Sequence, residues 1–133
     1  DESDFSRINL VDDADLIAQK IKRAKTDPLP FPTSIEECDT RPEAKNLITI
    51  YAALSGIDTQ VIFNDFGEKP FSVFKDALTD VTVTHMAPIT QKMRDLMASP
   101  DDIDRILIKG REKARAIAEP VLSDVRHIMG FRI

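Results

Sequence analysis

The chain has 133 residues, of which 42% are hydrophobic and 31% are charged, with a net charge of −5 and one cysteine. Such a length is typical of one domain, and folding it should bury roughly two thirds of the unfolded chain's surface. The acidic balance argues against a protein that coats nucleic acid by bulk attraction, which needs many clustered cations.

Cys38 alone can form neither a disulfide within the chain nor a cysteine-rich zinc site. No apolar run approaches the roughly 18 residues of a membrane span, so we expect a cytoplasmic protein without a membrane anchor.

The start of the chain predicts an extended segment followed by a helix. A polar, acidic stretch is followed by alternating apolar residues across Ile8–Val11, which predicts a short strand whose partner lies outside this chain. Asp12 or Asp13 can then cap a helix that runs to about Lys25. Acidic residues in its first turn and basic residues in its last turns complement the helix dipole.

A proline-rich stretch separates the first two predicted helices. Its prolines exclude a helix or a central strand across residues 27–39, which we interpret as a loop. Thr40 then begins the sequence T-R-P-E, which is typical of a capping box formed by Thr40 and Glu43. The second helix carries an apolar stripe, and Gly56 is its expected C-terminal cap.

Two more helices are predicted before residue 99. Asp58 caps a short third helix that ends at Gly67. A long fourth helix begins after Pro70 and continues, with a kink, beyond Pro88. Its β-branched stretch at residues 79–84 would suit a strand if taken alone, but the apolar stripe favours a helix.

The last predicted helix begins at Ser99, should bend at Pro120 and ends at Gly130. Its apolar residues recur every three or four positions, which makes a seam close to a heptad repeat. Gly110 and Ala114 are small residues on this seam and would let another helix approach closely. The sequence thus predicts an all-α bundle of about five helices, the last two long and proline-kinked, preceded by a short extended N-terminal segment.

The sequence predicts no catalytic, cofactor or metal site. His85 and His127 belong to no metal-ligand spacing. A packing or surface role is favoured for His85 over an acid–base or ligand role, and the dipole at a helix C-terminus accounts for His127. Cys38 lies beside three carboxylates that disfavour its thiolate. No glycine-rich phosphate loop is present.

The best local candidate for binding nucleic acid is the basic end of the first predicted helix. Four cations in six positions can hold a phosphate backbone without reading bases, although a solvated helix end is an equally good interpretation. These candidates are Lys20, Lys22, Arg23 and Lys25. Two other sets of residues are weaker candidates. One set lies between apolar positions, which favours a solvated face, and consists of the basic residues Lys109, Arg111, Lys113 and Arg115. The other set lies on apolar stripes, which favours core packing, and consists of the aromatic residues Tyr51, Phe71 and Phe74.

Three motifs in series carry a family resemblance. They are KI-x-x-A-x-TD at residues 20–27, N-L-x-x-IY-x-x-LSG at residues 46–56, and G-x-EKA at residues 110–114. With the segment FSVFKDALTDV at residues 71–81, they resemble the C-terminal portion of bacterial tryptophanyl-tRNA synthetases in order and spacing. Asp1 looks like the residue that directly follows that family's KMSKS loop.

This resemblance implies what the chain does and what it lacks. The parent enzyme would use ATP to activate tryptophan and would then charge tRNA(Trp), through a Rossmann domain that is missing here. Residues 1–11 would connect to that domain, and residues 12–133 would bind the anticodon arm of the tRNA and move as the active site closes. The chain alone should be inactive, and the parent is expected to be a homodimer with no DNA or membrane partner. The alternative is a helical protein-interaction module that uses the Gly110/Ala114 seam and has no RNA role.

Overall fold

A computed structural model of the chain describes residues 3–131 and contains five α-helices and no strand within that range. The predicted all-α class is therefore confirmed. The helices are α1 (Ala14–Arg23), α2 (Pro42–Ser55), α3 (Thr59–Phe66), α4 (Phe71–Ala98) and α5 (Pro100–Ile128). Both long helices, α4 and α5, contain an internal proline, as predicted.

The segment before α1 forms turns, and the strand predicted across Ile8–Val11 was wrong. Asp4–Ser6 form a 3-10 turn, in which the Phe5 N–H donates to the Ser3 hydroxyl at 3.3 Å. A second turn is closed where the Asp12 N–H donates to the Asn9 carbonyl at 3.1 Å. Because turns and side chains within the segment satisfy these amides, the apolar alternation needs no partner strand.

Local capping sets most helix ends as expected. The Asp13 carboxylate accepts from the Leu16 N–H at 2.9 Å, and the Asp58 carboxylate accepts from the Gln60 N–H at 2.8 Å. Gly56 ends α2 with a φ of 69°, in the left-handed region that glycine adopts without a steric cost.

The capping box predicted at Thr40 was wrong. Thr40 lies in a 3-10 turn, Glu36–Thr40, and its hydroxyl donates to the Glu37 carbonyl at 3.4 Å. The residue that precedes α2 is Arg41, whose guanidinium donates to both carboxylate oxygens of Asp27 at 2.7 and 2.8 Å. A contact with a residue fourteen positions away therefore fixes the entry to α2.

The proline-rich loop supplies the centre of the core. Phe31 is 1% exposed. Its N–H donates to the Lys69 carbonyl at 2.9 Å, and its carbonyl accepts from the Glu68 N–H at 3.0 Å. The Phe31 ring centroid lies 4.5–6.5 Å from four other phenylalanine rings. These rings belong to Phe63, Phe66, Phe71 and Phe74.

The β-branched stretch is helical within α4. The hydroxyls of Thr79, Thr82 and Thr84 each donate to the carbonyl four residues earlier, at 2.7–2.8 Å. These bonds satisfy the hydroxyls inside the helix, and the apolar stripe of Phe71, Phe74 and Leu78 is buried in the core. Burial of the stripe outweighs the strand preference of the β-branched residues.

The contacts divide the chain into two compact units, and the boundary lies between residues 93 and 94. The first unit contains α1, α2, α3, most of α4 and the aromatic core. The second contains the end of α4 and α5, and α5 has no buried residue. The apolar seam of α5 is thus exposed from Leu107 onward, and Ile103 near the start of the helix is half-buried.

Within residues 3–131, no single helix is long and apolar enough to cross a membrane. Only α2 and α3 taken together reach that length and composition, and they are bent by 113° at the break between them. Their apolar residues, such as Ile48 and Ile62, are buried in the core, so packing within the protein accounts for this composition.

Candidate nucleic-acid interface

The basic end of α1 presents three cations to solvent. Lys22, Arg23 and Lys25 are exposed, and they lie at or just beyond the C-terminus of the helix, where the helix dipole favours positive charge. A fourth cation from α4 joins them, because the Lys75 Nζ donates to the Ala24 carbonyl at 2.6 Å and to the Lys22 carbonyl at 3.3 Å. Burial lowers the pKa of Lys75. This cation satisfies carbonyls that the end of a helix leaves unpaired.

Lys20 differs from its neighbours, because it is 3% exposed and lies between two carboxylates. Its Nζ is 2.6 Å from an Asp12 oxygen and 3.0 Å from an Asp4 oxygen. Burial alone would lower the pKa of Lys20, but the hydrogen bonds to Asp12 and Asp4 outweigh it, and the pKa lies above its ordinary value of 10.5. Lys20 is thus protonated, its charge is balanced by neighbouring carboxylates, and its side chain is buried away from solvent. Its position does not favour the phosphate contact predicted for it.

Arg23 and Lys25 each contact one side chain on the surface. The Arg23 guanidinium lies over the Phe5 ring, 4.5 Å from its centroid. The Lys25 Nζ is 3.2 Å from a Glu43 oxygen, but the Lys25 side chain is 85% exposed. An exposed ion pair of this kind contributes little net free energy, so Lys25 can exchange Glu43 for another anion.

A groove of about 440 Å³ opens beside Lys22, between α1 and α4, and its lining includes the apolar residues Ala18 and Phe71. Its walls carry Lys75, one carboxylate, Asp76, and several hydroxyl and amide groups, of which the Thr79 hydroxyl already donates to the Lys75 carbonyl. The other polar lining residues are Gln19, Thr26, Ser72 and Thr79. The groove therefore adjoins Lys22, one of the exposed cations.

The aromatic candidates do not face solvent. Tyr51, Phe71 and Phe74 are at most 9% exposed and pack on other rings, so the structure favours core packing over base stacking for all three. The second basic set lies on exposed α5, where Arg115 pairs with Glu119 at 2.6 Å.

The candidate catalytic residues have structural explanations, a backbone contact for exposed His85 and burial for Cys38. His85 Nδ1 lies 2.9 Å from the Val81 carbonyl, one helical turn earlier. Cys38 is fully buried, and burial raises the pKa of its thiol, so it is a poor nucleophile. Residues 3–131 contain no group of three or more side chains that could hold a metal ion.

Sequence comparison identifies the relatives of the chain. It is 49% identical over 131 residues to the tryptophan–tRNA ligase of Caulobacter vibrioides and 50% identical over 131 residues to that of Agrobacterium fabrum. The Rickettsia felis ligase is 46% identical over all 133 residues. The chain is therefore a homologue of the tryptophan–tRNA ligases. It spans 37–40% of the length of these relatives, and the resemblance found in its three motifs is confirmed.

Structure comparison agrees on the fold. The tryptophanyl-tRNA synthetase of Mycoplasma pneumoniae matches all of the chain with a TM-score of 0.69 and 24% identity, and the match covers 41% of that protein. No protein-family model matches the chain. The Mycoplasma pneumoniae protein thus shares the helical fold of this chain.

Proposed function

We propose that the chain is the tRNA-binding part of a tryptophan–tRNA ligase and that the basic end of α1 contacts the anticodon arm of tRNA(Trp). Residues 12–133 form the binding domain, and residues 1–11 connect it to the catalytic part of the parent. The observation that carries this proposal is the 49–50% identity to tryptophan–tRNA ligases across 98% of the chain.

In the parent enzyme, tryptophan and ATP give an enzyme-bound tryptophanyl adenylate and pyrophosphate, and tryptophan then passes to the 3′ end of the tRNA. ATP is bound by the part of the parent outside this chain. The chain alone holds the RNA and is inactive. The parent is a cytoplasmic homodimer whose contact surface lies mostly outside the helical domain.

Charge and exposure make the end of α1 the place where RNA meets this domain. Lys22, Arg23 and Lys25 are exposed cations, and Lys25 need only exchange its weak surface partner, Glu43, for a phosphate. Lys20 is not among the proposed contacts, because Asp12 and Asp4 already hold it. The net charge of −5 gives no bulk attraction to phosphate, so a local cluster of cations also favours one orientation of the bound tRNA.

The test is a titration of tRNA(Trp) with the full-length parent enzyme at several salt concentrations. Changing Lys22, Arg23 and Lys25 together to alanine should weaken binding and reduce the slope of log affinity against log salt by about 2 to 3, since each lost phosphate contact removes about 0.7–0.9. The matched control changes Lys109 and Arg111 on α5 with a third exposed cation there, Lys113, and should leave the slope unchanged. A salt slope that decreases in the α5 control but is unchanged in the Lys22, Arg23 and Lys25 variant would contradict the assignment.

The exposed seam of α5 favours a second candidate, a protein-interaction module without an RNA role. A Cβ added at Gly110 would meet nothing within 4 Å, so the small-residue seam is open to a partner helix. The genomic sequence before Asp1 separates the two candidates. An open reading frame that continues upstream through a KMSKS loop supports the ligase, and a gene that begins at this aspartate supports the interaction module.

A further inference from the structure

We infer that Lys20 is a positioning residue, which pairs with Asp4 to fix the connector against the last turns of α1 and so orients the part of the parent to which the connector leads. This inference rests on the proposed function. It gives Lys20 a role in place of the phosphate contact that its position does not favour.

The connector is tied to α1 by a closed ring of polar contacts. The Lys20 Nζ contacts Asp12 at 2.6 Å and Asp4 at 3.0 Å. The Asn9 side-chain amide donates to Asp4 at 2.8 Å, while the Asn9 backbone N–H donates to Asp12 at 2.8 Å. Three of the four members therefore belong to the segment before α1, and Lys20 is the only helical one.

The two carboxylates of Lys20 differ in burial, and this difference separates their roles. The side chains of Lys20 and Asp12 are 2% and 4% exposed, whereas the Asp4 side chain is 54% exposed. Asp12 alone neutralises the buried ammonium. A second carboxylate is therefore not needed for charge balance, and its effect is to hold the segment that carries it.

A second contact one helical turn away gives the connector a direction. Phe5 follows Asp4 in the chain, and its ring accepts the Arg23 guanidinium at 4.5 Å from the centroid. Lys20 and Arg23 are three positions apart and lie on one face of α1. Two adjacent connector residues thus meet two successive turns of one helix, which fixes both the position of the connector and its angle.

The test replaces Asp4 in the full-length parent chain. Asp4→Asn removes the charge of Asp4 and leaves the Lys20–Asp12 pair intact, so the domain still folds. Asp80→Asn, an exposed carboxylate on α4, is the matched control. Lys20→Met is a second variant, in which Asp12 loses its cation. The melting temperature of the Lys20→Met variant is compared with that of the Asp4→Asn variant.

Two measurements follow, hydrogen exchange of the peptide covering residues 3–9 and the kinetics of tryptophan-dependent ATP–pyrophosphate exchange. Asp4→Asn should speed the hydrogen exchange about tenfold while that of α2 stays unchanged. It should also lower kcat about threefold, with the affinity for tRNA unchanged, because the catalytic part loses its fixed orientation. Asp4→Glu should restore both. A contribution to stability alone would not change kcat in an enzyme that remains folded.

Hydrogen exchange in Asp4→Asn equal to that in Asp80→Asn would overturn the inference, and so would faster exchange with an unchanged kcat. If the wild-type parent does not catalyse tryptophan-dependent exchange of pyrophosphate into ATP, the proposed function fails instead. The hydrogen-exchange comparison then still decides whether Asp4 fixes the connector.

Discussion

Replacing Phe31 with alanine should remove much of the stability of the first unit. A buried Phe→Ala change costs about 3–5 kcal/mol, and each aromatic pair that is lost adds about 0.5–1.5 kcal/mol to simple burial. Phe31 is 1% exposed and lies within 6.5 Å of four rings, so we expect a loss of about 4–5 kcal/mol. Domains of this size have about 5–15 kcal/mol of stability in total.

Urea unfolding followed by far-UV circular dichroism measures this loss. The matched control is Leu29→Ala in the same loop, where the side chain is 57% exposed and the change should stay within about 0.5 kcal/mol. A loss below about 1 kcal/mol for Phe31→Ala would refute the view that the proline-rich loop carries the centre of the core.

Two further predictions concern the loop ion pair and the glycines. The hydrogen bonds from Arg41 hold the pKa of Asp27 below its ordinary value of 3.8, so the pair stabilises the fold above that pH and loses its effect as pH falls through the folded-state pKa. Asp27→Asn should therefore cost about 1–3 kcal/mol in urea unfolding at neutral pH and progressively less below about pH 4, and a pH-independent cost would contradict this. Gly56→Ala should destabilise by about 1 kcal/mol because φ is 69° there, whereas Gly110→Ala should stabilise by about 0.5–1 kcal/mol in an open helical position. Thermal melts of the two alanine variants should shift in opposite directions.

Features set by neighbouring residues could be predicted from the sequence. Asp13 and Asp58 cap helices because an N-terminal carboxylate reaches amides two or three residues ahead. Gly56 ends α2 because a left-handed residue is needed there. The helical state of residues 79–84 followed from the apolar stripe, which the core then buries.

Features set by distant residues could not be predicted in this way. The cap expected at Thr40 is replaced by Arg41, whose position depends on Asp27 in another part of the loop. Phe31 lies among prolines with no helical or strand period, so nothing local marks it as a core residue.

The candidate site shows the same division between local and distant contacts. The cluster of cations at the end of α1 is visible in the sequence, because its members are close along the chain. Which of them face solvent is decided by Asp4 and Asp12, which contact Lys20 from sixteen and eight positions earlier, respectively. The sequence alone does not show how close these two carboxylates lie to Lys20, so it offers no reason to separate Lys20 from the other three cations.

Cross-linking tests most directly the claim that this domain holds tRNA through the basic end of α1. A photoreactive amino acid is placed at Lys22 in the full-length parent enzyme, with the same group at Lys109 on α5 as the reference, and both proteins are irradiated with tRNA(Trp). Our account predicts cross-links from position 22 that map to the anticodon arm. Cross-links from position 109 alone, or from position 22 to the acceptor end of the tRNA, would contradict it.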